Sequence, residues 1–235
     1  MDKQRNKRTK KTVEPVNGNV HTQTAKASTQ EAIKEDVILG LDISTAVIGV
    51  CLLSYGTEPL HKDAWKVMQA IDLTKTTGLF NKADKALETI LALCKGYSIR
   101  EVFVEANMKM FVGGSSSADT LFTLAKMNGL VSYLVHKQFG VEVRDINVSS
   151  ARKAVGFKND KSDKRKVKEK VFDFVTDKYP EFPWKTHMAK SGKSKGVLVY
   201  DKEMKDVCDA WVICAGGMKL LSTGKLTKED DTNDD

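Results

Sequence analysis

"VILGLDISTAVIGVCLL", residues 37–53, is a run of β-branched and aliphatic residues that holds one carboxylate, Asp42, where it turns back on itself. Such residues fit a pleated, buried surface. The short link after Asp42 joins two strands, over 37–43 and about 46–54, into a hairpin. A charge in that setting is costly if it is buried and unpaired. Something outside the stretch must compensate it.

Working outward, a third strand is expected within 62–72, around Ala64, Trp65, Val67 and Ile71. Residues 81–95 place Ala83, Leu87, Ile90, Leu91 and Cys94 at helical spacing, and Gly96 follows as a stop signal. "EVFVE", 101–105, reads as a short buried strand. "GGSSS", 113–117, is a loop supplying an N-cap serine for a long helix over 118–138, with Leu121, Leu124, Ala125, Val131, Leu134 and Val135 on one face. "VEVRDI", 141–146, is a strand, and a short helix covers 149–155. A basic amphipathic helix over 164–178 carries Val167, Val171, Phe174 and Val175 and stops before Pro180. Residues 181–200 read as an inserted loop or hairpin. The last helix, about 203–220, is apolar nearly all round and is therefore buried. Three antiparallel strands followed by strands alternating with helices describe an α/β fold: a mixed five-stranded sheet with helices on both faces.

The 235 residues suit one domain with tails: a basic, disordered tail over 1–35, a domain over 36–222 with an insert at 180–202, and an acidic tail over 223–235. No apolar run approaches the ~20 residues that span a bilayer, and the start lacks the apolar core of a secretory signal. The four cysteines form no CxxC pair and sit in apolar segments, as reduced core thiols of an intracellular, cytoplasmic protein would. The net charge is +7, and 14 Lys/Arg against 6 Asp/Glu lie between Arg152 and Lys195. That clustering points to a polyanion, most often nucleic acid; a solvated basic face is the plainer reading.

Four acids stand at odd places. Asp42 ends the first strand, Glu105 ends "VFVE", and Asp206 and Asp209 open the final helix in "DVCDAWVICA". Their i, i+3 spacing puts the last two on one face. Singly, each has a simpler reading: a turn cap, a strand-end charge facing water, a helix N-terminal acid. Together, in this order of elements, they read as oxygen ligands for divalent cations. Hard Mg²⁺ prefers such ligands, and two ions about 3.5–4 Å apart can serve a phosphodiester from both sides.

These motifs resemble the RuvC-type Holliday junction resolvases of the ribonuclease H-like superfamily. "ILGLDIST" followed by "IGVCLL" is similar to their first motif, "VFVEAN" to the second and "DVCDAW" to the last. "RKAVGF" followed by "SDKRKV" is similar to their basic stretch. Sugar kinases and related ATPases share the opening hairpin, but they need two such domains and leave the Asp-x-x-Asp pair unexplained. Ile43 replaces the family's usual Pro, the Gly156-to-Lys164 spacing is longer, and the insert and N-terminal tail have no counterpart in the bacterial enzymes. The chain thus resembles a divergent relative, of phage or viral type.

The resemblance implies a crossover junction endodeoxyribonuclease. Asp42, Glu105, Asp206 and Asp209 would hold two Mg²⁺ (or Mn²⁺) ions, cutting branched DNA to leave a 5′-phosphate and a 3′-hydroxyl. Lys164 would steady the pentacovalent phosphate. Lys153, Lys158, Lys161 and Lys166 would track backbone phosphates. Phe111, beside the Gly/Ser loop, is a candidate wedge into bases at the junction centre, although a core or loop-anchoring Phe is the plainer reading. The enzyme would be a homodimer, with 118–138 as the dimer element. Two alternatives stay open: a ribonuclease H-type nuclease cutting RNA–DNA hybrids, and a non-catalytic basic nucleic-acid-binding protein. "SGKSKG", 191–196, lacks the Gly of a phosphate loop, and the histidines make no zinc spacing.

Overall fold

A computed structural model describes residues 34–106, 118–192 and 194–226. The chain order is β1 (Glu35–Ile43), β2 (Val47–Ser54), β3 (Trp65–Asp72), α1 (Leu79–Leu93), β4 (Tyr97–Glu105), α2 (Ala118–Phe139), β5 (Val143–Ile146), α3 (Val148–Ala154), α4 (Val167–Lys178), β6 (Thr186–Met188), β7 (Leu198–Tyr200) and α5 (Met204–Ser222). Five strands form one sheet in the order β3-β2-β1-β4-β5. The β1–β2 and β2–β3 pairs are antiparallel, and β1–β4 and β4–β5 are parallel. This is the mixed sheet that the strand pattern predicts.

β1 is central and buried on both faces, which is why it reads as continuous apolar sequence rather than alternation. The period of two still sorts its residues. Val37, Leu39, Leu41 and Ile43 pack with α1 and α2, in one core that includes Ile90, Met127 and Val131. Ile38 joins the opposite core, formed with α3, α4 and α5. Gly40 and Asp42 have the same parity as Ile38, so Asp42 faces α5. Each buried aliphatic side chain contributes about 1.5–3 kcal/mol, enough in sum to hold one carboxylate in poor surroundings.

The structure departs from the expected boundaries in instructive places. β1 begins at Glu35, ahead of the apolar run, because its carboxylate accepts from Ser54 Oγ (2.9 Å) and pairs with Lys66 (2.8 Å). β4 begins at Tyr97 rather than 101, since its polar first half still pairs with β1. α4 begins at Val167 rather than 164. Asp163 accepts from the Arg165 backbone N–H (2.9 Å) and guanidinium, and this side-chain turn competes with the first helical turn. The 180–202 insert contains a two-stranded hairpin, β6–β7. Its base is a cluster of rings: Phe182 on Trp184 (4.5 Å between centroids), Trp65 on Phe182 (5.2 Å) and Phe172 on Tyr200 (5.0 Å).

α5 is the buried helix, and Trp211 and Ala210 are fully enclosed. All four cysteines are buried and free. No helix among the described residues is long and apolar enough to cross a membrane. Most of the basic N-terminal tail, the 113–117 cap, Phe111 and all but the first four residues of the acidic tail lie outside the described residues.

Candidate active site

The site forms where the C-terminal ends of two parallel strands meet the start of α5. In the β1–β4 register Leu41 lies opposite Val104, so the next residues, Asp42 and Glu105, are neighbours. α5 brings Asp206 and Asp209 onto the same sheet face. Two glycines permit that approach. A Cβ on Gly49, which pairs with Asp42 across the hairpin, would collide with the backbone carbonyl of Asp206. A Cβ on Gly40 would lie 2.7 Å from the Ala210 carbonyl oxygen. Both distances are shorter than atoms tolerate, so only glycine lets the helix backbone rest on these strands.

One ammonium sits among three of the acids. Lys168 Nζ lies 2.6 Å from Asp206 Oδ1, 3.2 Å from Asp209 Oδ2 and 3.8 Å from Asp42 Oδ2. Asp209 is almost fully buried, at 5 % exposure. It also accepts a 3.3 Å bond from the guanidinium of Arg152, on α3. Arg152 Nε is buried and has no hydrogen-bond partner among the described residues. Glu105 is fixed from behind: its backbone carbonyl accepts from Asn128 Nδ2 (2.9 Å), and Ser132 donates to Asn128 Oδ1 (3.1 Å).

The electrostatics follow from this crowding. Burial pushes the Asp42 carboxyl well above the usual carboxylate range. Lys168 opposes the shift, while the charges of Asp209, Glu105 and Asp206 reinforce it. Burial and Asp209 raise Glu105 in the same direction, against Arg152 and Lys168. For Lys168 burial favours the neutral amine, yet Asp42, Asp209 and Asp206 outweigh it and hold the group charged.

Sequence reasoning missed Lys168, Arg152 and Asn128. Lys168 looks like one lysine of a basic helix, but 168, 171, 172 and 175 fall at i, i+3, i+4 and i+7. That places it on the buried stripe with Val171, Phe172 and Val175. Arg152 likewise neighbours buried Ala151. Lys164, the basic residue expected near the acids, is exposed in the turn before α4. The later helix start gives the inward position to Lys168, one turn on. Lys153, Lys158, Lys161 and Lys166 are exposed on α3 and the segment leading to α4.

The residues fit a divalent cation in charge and donor type. Four carboxylates face two cations, and every ligand offered is a hard oxygen. Among the described residues no three acids are yet gathered around one ion position; the Lys168 ammonium stands between them instead.

No protein-family model and no curated protein matches the chain. Solved structures do. Thermus thermophilus RuvC in complex with a Holliday junction substrate superposes with a TM-score of 0.53 at 12 % identity, covering 80 % of this chain and 96 % of that one. RuvC from the same organism, in a second structure, gives 0.51 at 14 % identity over the same shares. The yeast mitochondrial Holliday junction resolvase Ydc2 gives 0.47 at 13 % identity, covering 83 % of each chain. Identities this low speak to architecture: the chain has the ribonuclease H-like fold of the RuvC-type Holliday junction resolvases.

Proposed function

We propose that this chain is a metal-dependent endonuclease that resolves branched DNA, four-way junctions above all. The observation that carries the reading is the meeting of four acids at one end of the sheet: Asp42, Asp206 and Asp209 around the Lys168 ammonium, with Glu105 beside Asp42 on the neighbouring strand. A set of acids that suppress one another's ionisation is a poor structural device. It is a sensible one where a cation of higher charge is to be held. The fold is that of RuvC, one of whose structures holds a Holliday junction substrate.

Asp42, Glu105, Asp206 and Asp209 would hold two Mg²⁺ ions, with Mn²⁺ as a substitute. Bound there, such ions would supply an activated water and charge neutralisation for phosphodiester hydrolysis. The remaining work belongs to the chain. Glu105 is kept in place by Asn128, and Asp209 by Arg152. Lys168 bridges Asp42, Asp206 and Asp209, and its ammonium would give up that place to a bound ion. Its side chain is 42 % exposed, so it has solvent to swing into. Lys153, Lys158, Lys161, Lys164 and Lys166, all exposed, would follow the DNA backbone on the α3–α4 side. Cleavage would leave a 5′-phosphate and a 3′-hydroxyl.

The test is direct. Purified protein is offered an immobile four-way junction, a fork, linear duplex and an RNA–DNA hybrid, with Mg²⁺ or with chelator. Junction cleavage that needs Mg²⁺ and disappears in Asp209→Asn, while junction binding survives, is the expected result. Preferred cutting of the hybrid would move the assignment to a ribonuclease H-type activity. Binding without any cutting would leave a nucleic-acid-binding protein.

A further inference from the structure

The β6–β7 hairpin is a feature that the acidic site does not use. Its register pairs Thr186 with Tyr200, His187 with Val199 and Met188 with Leu198. Alternation therefore places Thr186, Met188, Leu198 and Tyr200 on one face. Met188 is 55 % exposed and Leu198 62 %, and Val197 beside them is equally bare. Large apolar side chains grouped in this way on a projecting arm are a liability unless something covers them. The chain carries no acidic residue between Glu181 and Asp201, whereas Lys185, Lys190 and Lys195 are all exposed.

The arm's base is built firmly. Asp201 N–H donates to the Lys185 carbonyl (2.9 Å), and His187 Nδ1 meets Asp201 Oδ1 at 2.6 Å. Tyr200 packs edge-on against Phe172, and Trp184 Nε1 donates to the Tyr179 carbonyl (2.9 Å). Phe172 is one helical turn beyond Lys168, and Asp201 precedes Asp206 by five residues. The hairpin thus springs from the rim of the acidic cluster. A three-residue ribbon is too short to be stable by itself; the ring cluster below holds it out from the domain.

We infer that this hairpin is a DNA-gripping arm, whose lysines hold the phosphates of a duplex arm while Met188 and Leu198 lie against its groove or against bases opened at the branch. The inference rests on the proposed nuclease reading and adds to it a second DNA contact, separate from the α3–α4 lysines. The charge favours this occupant: a second copy of the hairpin would set lysine against lysine, whereas DNA offers anions to the lysines and apolar base faces to the side chains between them. A two-stranded ribbon also matches the width of a major groove.

The experiment measures binding of the full chain to a labelled four-way junction, in chelator so that nothing is cut, across a series of salt concentrations. Three forms are compared: wild type, Lys185→Ala/Lys190→Ala/Lys195→Ala, and Met188→Ser/Leu198→Ser. In the lysine variant the slope of log K against log salt should flatten by roughly 2 to 3, and affinity at moderate salt should fall about tenfold or more. In the serine variant affinity should fall with the slope unchanged, because no ionic contact is removed. A photo-crosslinking residue at position 198 should capture the DNA. Unchanged affinity and slope in both variants, with wild type binding well, would overturn the arm while leaving the nuclease reading intact. Absence of DNA binding by wild type would remove that reading itself. If the serine variant alters sedimentation but not DNA binding, the face is a contact between copies and the inference is wrong.

Discussion

At the scale of single residues, Lys168 is the informative side chain, because it occupies a position that a divalent ion would contest. An ammonium can balance one of the carboxylates around it, not three. Lys168→Met keeps the aliphatic stem and removes the charge. Breaking a fully buried ion pair costs about 3–5 kcal/mol; with Lys168 42 % exposed, water screens the loss, and about 1–2 kcal/mol is expected. Thermal melts should show the variant less stable than wild type without metal, and Mg²⁺ should raise its midpoint more than it raises that of wild type. Equal Mg²⁺ effects on the two proteins would mean that lysine and ion do not compete. Asn128 makes a second case. Asn128→Leu would leave the part-buried Glu105 carbonyl at the end of β4 without its side-chain donor, at about 1 kcal/mol. Denaturant midpoints should fall accordingly, and Mg²⁺-dependent cleavage should fall further than stability alone explains, since Glu105 loses its support.

At the scale of elements, the contact between α5 and the β1–β2 hairpin decides where the acids stand. Gly49→Ala would force the Asp206 backbone away, with the new methyl also 3.1 Å from the Ala210 Cβ. Overpacking of this kind costs about 1–3 kcal/mol, and a shift of about 1 Å at the reacting groups costs roughly 100-fold in rate. Circular dichroism should show a folded protein, urea titration a lower midpoint, and cleavage a loss in kcat larger than any change in DNA affinity. This contact also shows what could be read from the chain in advance. β1, β2 and α5 were legible because their apolar content admits only burial, and the four acids were legible because they interrupt it. The glycines gave no such signal: in a strand, Gly40 and Gly49 look like weaknesses until the helix backbone above them is known. Lys168 was hidden for the opposite reason, being one lysine among many. Its inward face follows from its spacing to Val171, Phe172 and Val175, and the Asp163 turn with Arg165 is what leaves Lys164 outside the helix. Local side-chain turns of this kind shift a helix by one turn without altering its overall pattern.

At the scale of the whole molecule, α2 presents an unexpected second face. The sequence suggests one apolar stripe, and the sheet does bury Met127, Asn128, Val131 and Val135. On the opposite side Phe122 and Tyr133 are each 60 % exposed, and positions 122, 126, 129 and 133 run along one line of the helix, with Gly129 leaving room for close approach. A four-way junction carries two symmetry-related strands to be cut, and a twofold pairing of this chain would supply one acidic site to each. The homodimer that the resemblance implies would use this exposed face of α2. Sedimentation should give a dimer for wild type and a monomer for Phe122→Ser/Tyr133→Ser, whose substitutions leave the buried stripe untouched and the dichroism spectrum unchanged. On a supercoiled plasmid with an extruded cruciform, paired incisions by wild type should release linear product before the cruciform can relax. The monomeric variant retains its acids and should still cut, but one strand at a time, so that nicked circles accumulate instead. Linear product from a variant shown to be monomeric would separate strand pairing from dimerisation and rule out this role for α2.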